Sequence, residues 1–244
     1  MAEAVIVIPA RYGSTRFPGK PLARLWGKPV IEHVYRRVGQ SRLCGRAIIA
    51  TDDERIAAAA RGFGAEVVLT RSDHVSGTDR VAEVAEGLEA GLVVNVQGDE
   101  PLVDPGAIDA AVEPLADDPG IAMGTLCAPL EEVEDLANPN VVKVVLDEAG
   151  FALYFSRLPI PFVRDFGAGV TRYRHIGLYV YRREFLLELA KMAPTPLEQA
   201  EKLEQLRVLE RGGRVRVVVV PKASPGVDTP EDLARLEKMG PGGE

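Results

Sequence analysis

The chain has 244 residues, 46% of them hydrophobic, with 36 acidic against 29 basic side chains and a formal net charge of −7. The length allows a substantial core, and the acidic balance argues against nucleic acid as the main partner, because a phosphate-backbone binder shows a basic excess. Any anionic ligand must therefore be held by a local cluster of cations. Cys44 and Cys127 are the only cysteines, and two buried thiols in a reducing compartment are expected of them. With no signal-like start and no apolar run of membrane-spanning length, a cytoplasmic location is expected.

Short apolar runs predict strands at 4–8, 46–50, 65–69, 92–96, 121–127, 141–146, 174–181 and 215–220. Helical periodicity falls between them at 29–40, 53–63, 78–90, 105–116, 182–192, 196–211 and 230–239. The early strands are apolar on both faces, as in a parallel sheet covered by helices on either side. A doubly wound, three-layer α/β fold follows. Between 139 and 181, strand-like pieces succeed one another without a helix, which suggests an antiparallel ribbon inserted into the mostly parallel sheet. Residues 164–169 read as a mobile loop and 240–244 as a frayed tail.

The stretch IPARYGSTRFPGKPL, residues 8–22, gathers Arg11, Arg16 and Lys20 among two glycines and three prolines at the exit of the first strand. It is not a Walker A loop: five residues separate Gly13 from Gly19, and Pro21 stands where a magnesium-binding hydroxyl is needed. No G-x-G-x-x-G follows the strand either. Glycines let backbone amides approach an anion, and prolines stiffen the loop. Two arginine forks and a lysine point charge suit a polyphosphate.

These residues carry a resemblance. PARYGSTRFPGKPL resembles the signature loop of nucleotidyltransferases that make activated sugars, and more closely that of the 3-deoxy-D-manno-octulosonate (Kdo) cytidylyltransferases. Further stretches are similar along nearly the whole chain: ATDDERIA, TRSDHVSGTDR, VVNVQGDEPL, NPNVVKVVLDEAGFALYFSRLPIP, RHIGLYVYRREFL, PLEQAEKLEQLRVLERG and GVDTPEDL. The resemblance implies one nucleotidyltransferase domain over 1–244 that joins CTP to the 2-keto sugar acid Kdo, giving CMP-Kdo and pyrophosphate for lipopolysaccharide. It also implies Mg²⁺ as cofactor and a homodimer formed through the 139–181 ribbons, where Phe151, Leu153, Phe155, Ile176, Leu178 and Val180 offer apolar strand surface. A related enzyme acting on another sugar acid, such as a sialic acid, and a non-catalytic nucleotide-binding regulator are the alternatives.

Asp99 follows the strand 92–96 directly after Gly98, well placed for a hard cation on a triphosphate. Asp228 precedes a helix start already explained by Thr229 as N-cap, Pro230 at the first helical position, and Glu231 and Asp232 in the first turn. That leaves Asp228 over, and the family binds Mg²⁺ at both acids. Glu100, Asp52 and Asp53 are weaker candidates, the last two suiting the start of helix 53–63. For the nucleotide, the resemblance points to Arg71, the Ser76-Gly77-Thr78 turn and Gln97. Residues 76–79 would equally pass as an ordinary helix start with Thr78 as N-cap. For the sugar acid it points to Arg157, His175, Tyr179, Glu204 and Gln205, with Arg157 and His175 suiting the carboxylate. Glu204 and Gln205 could instead face water on a helix buried through Leu197, Leu203, Leu206 and Leu209. His33 reads as structural, and His74 accompanies the base loop without a role.

Overall fold

The first apolar run forms β1 (Ala4–Ala10), with Val5, Ile6, Val7 and Ile8 all buried, as a strand covered on both faces requires. The structure, a computed structural model, describes residues 3–14, 16–130, 132–165 and 169–241. Part of the expected mobile loop (166–168) and of the frayed tail (242–244) therefore lies outside the described residues. The backbone is organised as two compact units, residues 1–109 with 224–244, and residues 110–223. Among the described residues no helix is long and apolar enough to cross a membrane.

The first unit continues with a 3-10 turn (Lys20–Leu22), β2 (Arg24–Leu25), β3 (Lys28–Pro29), α1 (Val30–Val38), β4 (Cys44–Thr51) and α2 (Glu54–Gly62). Then come β5 (Glu66–Leu69), α3 (Gly77–Glu86), β6 (Leu92–Asn95) and the start of α4 (Pro105–Asp117). Its sheet is parallel, in the order β6-β1-β4-β5. Ile8 of β1 lies beside Ile49 of β4, and Val7 beside Asn95 of β6. The chain winds outward from β1 through β4 and β5, then returns to β6 on the other side of β1. In open α/β sheets a ligand crevice opens beyond the carboxyl ends of the strands at such a reversal.

The second unit carries β7 (Met123–Pro129), α5 (Val133–Ala137), β8 (Lys143–Leu146), β9 (Ala152–Ser156), β10 (Tyr173–Arg182), α6 (Arg183–Leu189), α7 (Pro196–Glu201), α8 (Leu206–Glu210) and β11 (Arg216–Val219). The expected antiparallel ribbon is present: β8 pairs antiparallel with both β9 and β10. β10 also runs antiparallel to β7, with a register shift between Ile176 and Tyr179. Of the apolar residues between 139 and 181, Phe155, Leu178 and Val180 are buried in their own unit, and the exposed large ones among the described residues are Leu153, Leu158, Phe162 and Val170. The single helix expected over 196–211 is two. α7 ends at Lys202 in the left-handed conformation, φ 54°, and the Glu201 and Lys202 carbonyls accept from the Arg157 guanidinium. A left-handed residue after the last turn is a regular helix stop.

The final helix, α9 (Pro230–Met239), returns to the first unit. Thr229 caps it as expected, in a capping box with Asp232. Leu236 of α9 packs with Leu25, Val30 and Val227 in one buried cluster.

Entry into β4 is fixed by one buried carboxylate on α4. Asp109 accepts the Ser41 hydroxyl at 2.6 Å and the amides of Arg42 and Leu43 at 3.0 and 3.1 Å. Burial alone would raise its carboxyl, but these bonds from Ser41, Arg42 and Leu43 outweigh that and hold it below the usual range. A carboxyl depressed in the fold contributes stability that is present above its unfolded value, about pH 3.9, and is lost as pH falls through the lower folded value. Asp109→Ala should therefore lose about 2–3 kcal/mol at pH 7 in urea unfolding. The deficit should shrink below about pH 4; one that is the same at pH 3 and pH 7 would refute the assignment.

Candidate active site

Three stretches of the first unit meet at the carboxyl ends of β1 and β6. The closest approach is at Gly98, where a Cβ would lie 2.9 Å from the Pro9 carbonyl oxygen and 3.2 Å from Ile31 Cδ1. Only glycine lets the two strand exits touch in this way. The segment leading into α9 joins them through the Val227 amide, which donates to the Asp99 carbonyl at 2.8 Å. Asp228 is thereby brought beside Asp99.

The opening loop is braced from within. The amides of Ser14 and Gly19 both donate to the Tyr12 carbonyl at 2.9 Å. Gly19 sits at φ 74°, and a Cβ there would press on the Tyr12 ring at 3.1 Å. The Arg55 guanidinium lies 3.4 Å over the same ring, and Arg55 is itself held by Asp53, the N-cap of α2. Lys20 follows, nearly buried, at the head of the 3-10 turn.

The charges then interlock. Lys20 Nζ lies 2.5 Å from Asp99 Oδ2 and 3.3 Å from Asp228 Oδ1, and Arg16 Nη2 lies 3.2 Å from the same Asp228 oxygen. Arg11, Ser76, Gly77 and Gln97 line the same cavity. So the structure brings together Arg11, Arg16, Lys20, Asp99, Asp228, Ser76, Gly77 and Gln97 from the residues singled out in the sequence. It does not bring Arg71 or Thr78 to the cavity wall. The exposed Arg71 side chain pairs with Asp73, 3.2 Å away, and Thr78 is buried in the first turn of α3. The N-cap of α3 is Ser76 rather than Thr78. Its hydroxyl accepts from the Asp79 amide and the Asp79 carboxylate accepts from the Ser76 amide, because a capping box needs the acid three positions after the cap.

Two cavity residues had no role in the sequence reading. Arg80 is buried and lines the cavity, where it bonds the Thr70 hydroxyl and pairs with Asp52 at 3.0 Å. Asp52 thus serves Arg80, while Asp53 alone starts α2. A signal existed: Arg80 stands four residues before the buried Val84 of α3, and an arginine on an apolar helix face requires an acidic partner. His74 also lines the cavity and is bonded to Glu83, which accepts the Arg71 amide as well. His33 is structural, with Nε2 against the Leu25 carbonyl at 2.7 Å.

The donors at this crevice fit a hard divalent cation. Two carboxylates from separate segments already converge on one positive centre, the Lys20 ammonium. Among the described residues no group of three or more candidate ligands gathers anywhere. A pair of acids suits an ion that keeps waters and takes its other ligands from a bound phosphate.

The residues singled out for a sugar acid lie in the second unit. Thr125 Oγ1 is 2.8 Å from the Leu178 carbonyl and 2.9 Å from His175 Nε2. Its single proton goes to a carbonyl, so His175 donates from Nε2 and keeps a lone pair on Nδ1. Burial pushes the imidazole down to about 3. The ring is therefore neutral at ordinary pH, which removes it as the cation for a carboxylate. Tyr179 is next to it, ring centroids 5.5 Å apart, and burial raises its phenol. Arg157 donates to the carbonyls of Glu201 at 2.6 Å, Pro139 at 2.8 Å and Lys202 at 3.3 Å. Gln205 is buried, which excludes the water-facing alternative for it, and its Nε2 has no hydrogen-bond partner among the described residues. Glu204 is half-buried beside it.

A family model described as Cytidylyltransferase matches residues 5–217. The 3-deoxy-manno-octulosonate cytidylyltransferase of Geobacter sulfurreducens is 56% identical over 244 residues, covering 96% of this chain and 98% of that protein. The protein of the same name from Solibacter usitatus is 56% identical over 233 residues, covering 96% and 92%. A solved structure of a CMP:2-keto-3-deoxy-manno-octonic acid synthetase complexed with CTP superposes with a TM-score of 0.93 at 43% identity, covering 98% of each chain. Matched by such relatives over nearly its whole length, the chain belongs to the cytidylyltransferase family, among the 3-deoxy-manno-octulosonate cytidylyltransferases.

Proposed function

We propose that the protein couples CTP with Kdo to give CMP-Kdo and pyrophosphate, supplying an activated sugar acid for lipopolysaccharide. The observation that carries the reading is the crevice at the sheet reversal, where Arg11, Arg16 and Lys20 gather beside Asp99 and Asp228 in a chain of net charge −7. A hydroxyl oxygen of the sugar acid bonds to the α-phosphorus of CTP, the bond from that phosphorus to the bridging oxygen breaks, and pyrophosphate leaves while the hydroxyl proton is released. Arg11, Arg16 and Lys20 hold the triphosphate and neutralise charge moving onto the departing pyrophosphate. Ser76, Gly77 and Gln97 orient the nucleoside, with Arg80 and His74 of the same cavity held by Asp52 and Glu83. Asp99 and Asp228 would hold Mg²⁺, which when bound would supply Lewis-acid polarisation of phosphate oxygens. In the second unit Tyr179, Glu204, Gln205 and the neutral His175 bind the sugar hydroxyls, and Arg157 sets the loops around them. No covalent intermediate is required, since positioning and charge neutralisation suffice for this transfer. The free, buried Cys44 and Cys127 support a cytoplasmic setting.

The direct test is pyrophosphate release with CTP and Kdo, each alone and together, with and without Mg²⁺. Release should require both substrates and the metal, and Asp99→Asn should lower kcat by about a hundredfold or more with the fold retained, a neutral amide being a poor Mg²⁺ ligand. A near-normal rate in that variant at saturating Mg²⁺ removes Asp99 from the metal site.

The neutral state of His175 sets a pH expectation. A ring whose value is pushed down to about 3 does not change charge between pH 5.5 and 8, near the ordinary histidine value of about 6.5. The profile of kcat/KM for Kdo should show no inflection there that depends on His175. An inflection near 6.5 that His175→Gln abolishes overturns the neutral assignment.

The homodimer reading is supported by the exposed apolar side chains Leu153, Leu158 and Phe162 of the second unit, 61%, 70% and 89% exposed. Sedimentation should give about twice the 26.3 kDa chain mass, and Leu158→Asp with Phe162→Asp should shift it toward the monomer. A wild-type monomer at all concentrations rules the dimer out.

A further inference from the structure

The Lys20 ammonium sits between the two carboxylates, 2.5 Å from Asp99 Oδ2 and 3.3 Å from Asp228 Oδ1. That is where a divalent cation ligated by both acids would have to be. An ammonium in hydrogen-bond contact with both oxygens and a metal ion coordinated by the same oxygens oppose one another, because two cations held in the same gap repel at close range. We propose that Lys20 is a built-in counter-ion that competes with the metal, so that a divalent cation enters this crevice with the nucleotide rather than before it. The inference rests on the reading of Asp99 and Asp228 as the metal-holding pair and of the crevice as the triphosphate site.

The backbone shows how the exchange can occur without moving the loop. Lys20 Cα is fixed in its 3-10 turn: the Gly19 amide is tied to the Tyr12 carbonyl, and the Lys20 carbonyl accepts from the Ala23 amide at 3.0 Å. Only the side chain is free to swing, on a four-carbon stem that carries a compact charge. An arriving triphosphate offers it oxygens of equal charge type, and the acids are released to the metal in the same event. Without a nucleotide the ammonium has no comparable partner, since its side chain is only 11% exposed. Arg16 holds Asp228 alone, at 3.2 Å, and its side chain is 57% exposed, so it blocks less.

The consequence is opposite to ordinary loss of a ligand-binding residue: removing Lys20 should tighten metal binding in the absence of nucleotide. Mn²⁺ titrated into the full chain, with free ion read by its electron paramagnetic resonance signal, measures this directly. Lys20→Met and Lys20→Gln should each bind Mn²⁺ at least about tenfold more tightly than the wild type. Adding Asp99→Asn to Lys20→Met should abolish the gain. Arg11→Met is the control, because it removes the same charge from the same cavity at a residue in no ion pair with either acid among the described residues; its gain should stay within about twofold. Equal gains in Lys20→Met and Arg11→Met would mean a general field effect and overturn direct competition, as would no gain in either Lys20 variant. The titration uses neither CTP nor Kdo, so a failed coupling assay with the Mn²⁺ gain intact removes the substrate reading alone. An intact coupling assay with no gain removes the competition alone.

Discussion

One backbone hydrogen bond sets the chemistry of the first unit: the Val227 amide on the Asp99 carbonyl, at 2.8 Å. It joins the exit of β6 to a segment more than a hundred residues later in the chain. Val227 can hold that position because its side chain is buried with Leu25, Val30 and Leu236, so the bond is backed by apolar packing from β2, α1 and α9. Gly98, one residue before Asp99, allows the same strand exit to lie against Pro9. With Asp99 and Asp228 each adjacent to a fixed backbone point, the spacing of the two carboxylates follows from the fold rather than from side-chain choice. A site built on anchored backbone keeps its geometry when its side chains exchange partners.

The electrostatics of the crevice then follow from what lies between those acids. Two carboxylates this near each other repel unless a cation intervenes, and Lys20 is that cation. It reaches them because Gly19 and Tyr12 turn the opening loop back on itself, with Arg55 stacked over the tyrosine ring. The prolines and glycines of the loop thus serve charge placement as much as chain direction. The global charge of −7 is no obstacle, since exposed charges beyond about 10 Å are screened at moderate salt while partly buried neighbours are not.

How far the sequence disclosed this depends on the range of the interaction. Local rules worked where they applied: β1 from its apolar run, Thr229 as a cap, Asp228 as the acid left over from capping, and the exclusion of a Walker loop. Local rules also misassigned the cap of α3, because Ser76 and Thr78 are both good caps and only the reciprocal Asp79 bond separates them. The stop of α7 at Lys202 was not legible, since it depends on Arg157 drawing two carbonyls from a distant part of the chain. Arg80 with Asp52, and His74 with Glu83, were missed for the same reason. Each pair joins a loop to a helix face; Arg80 on an apolar face called for an acidic partner, but its position in the chain did not say that the partner is Asp52. The state of His175 needed the structure most, because the sequence shows a titratable ring and only its burial makes it neutral.

The two units use buried cations in different ways, and the difference decides which of them can take part in chemistry. Lys143 is fully buried and donates to the carbonyls of Asn138, Val141 and Arg157. Burial lowers its ammonium, with Glu201 opposing that. Arg157 likewise collects carbonyls of Pro139, Glu201 and Lys202. The partners of both residues are backbone oxygens, and the buried one, the Val141 carbonyl, would be left unpaired if Lys143 moved, a cost of about 1–3 kcal/mol. Such residues are staples and stay where they are. Lys20 is held by two carboxylates instead, and a carboxylate freed from an ammonium can take a metal ion or water in its place. The same side-chain type is thus immobile against carbonyls and exchangeable against acids, and only the exchangeable arrangement stands at the crevice.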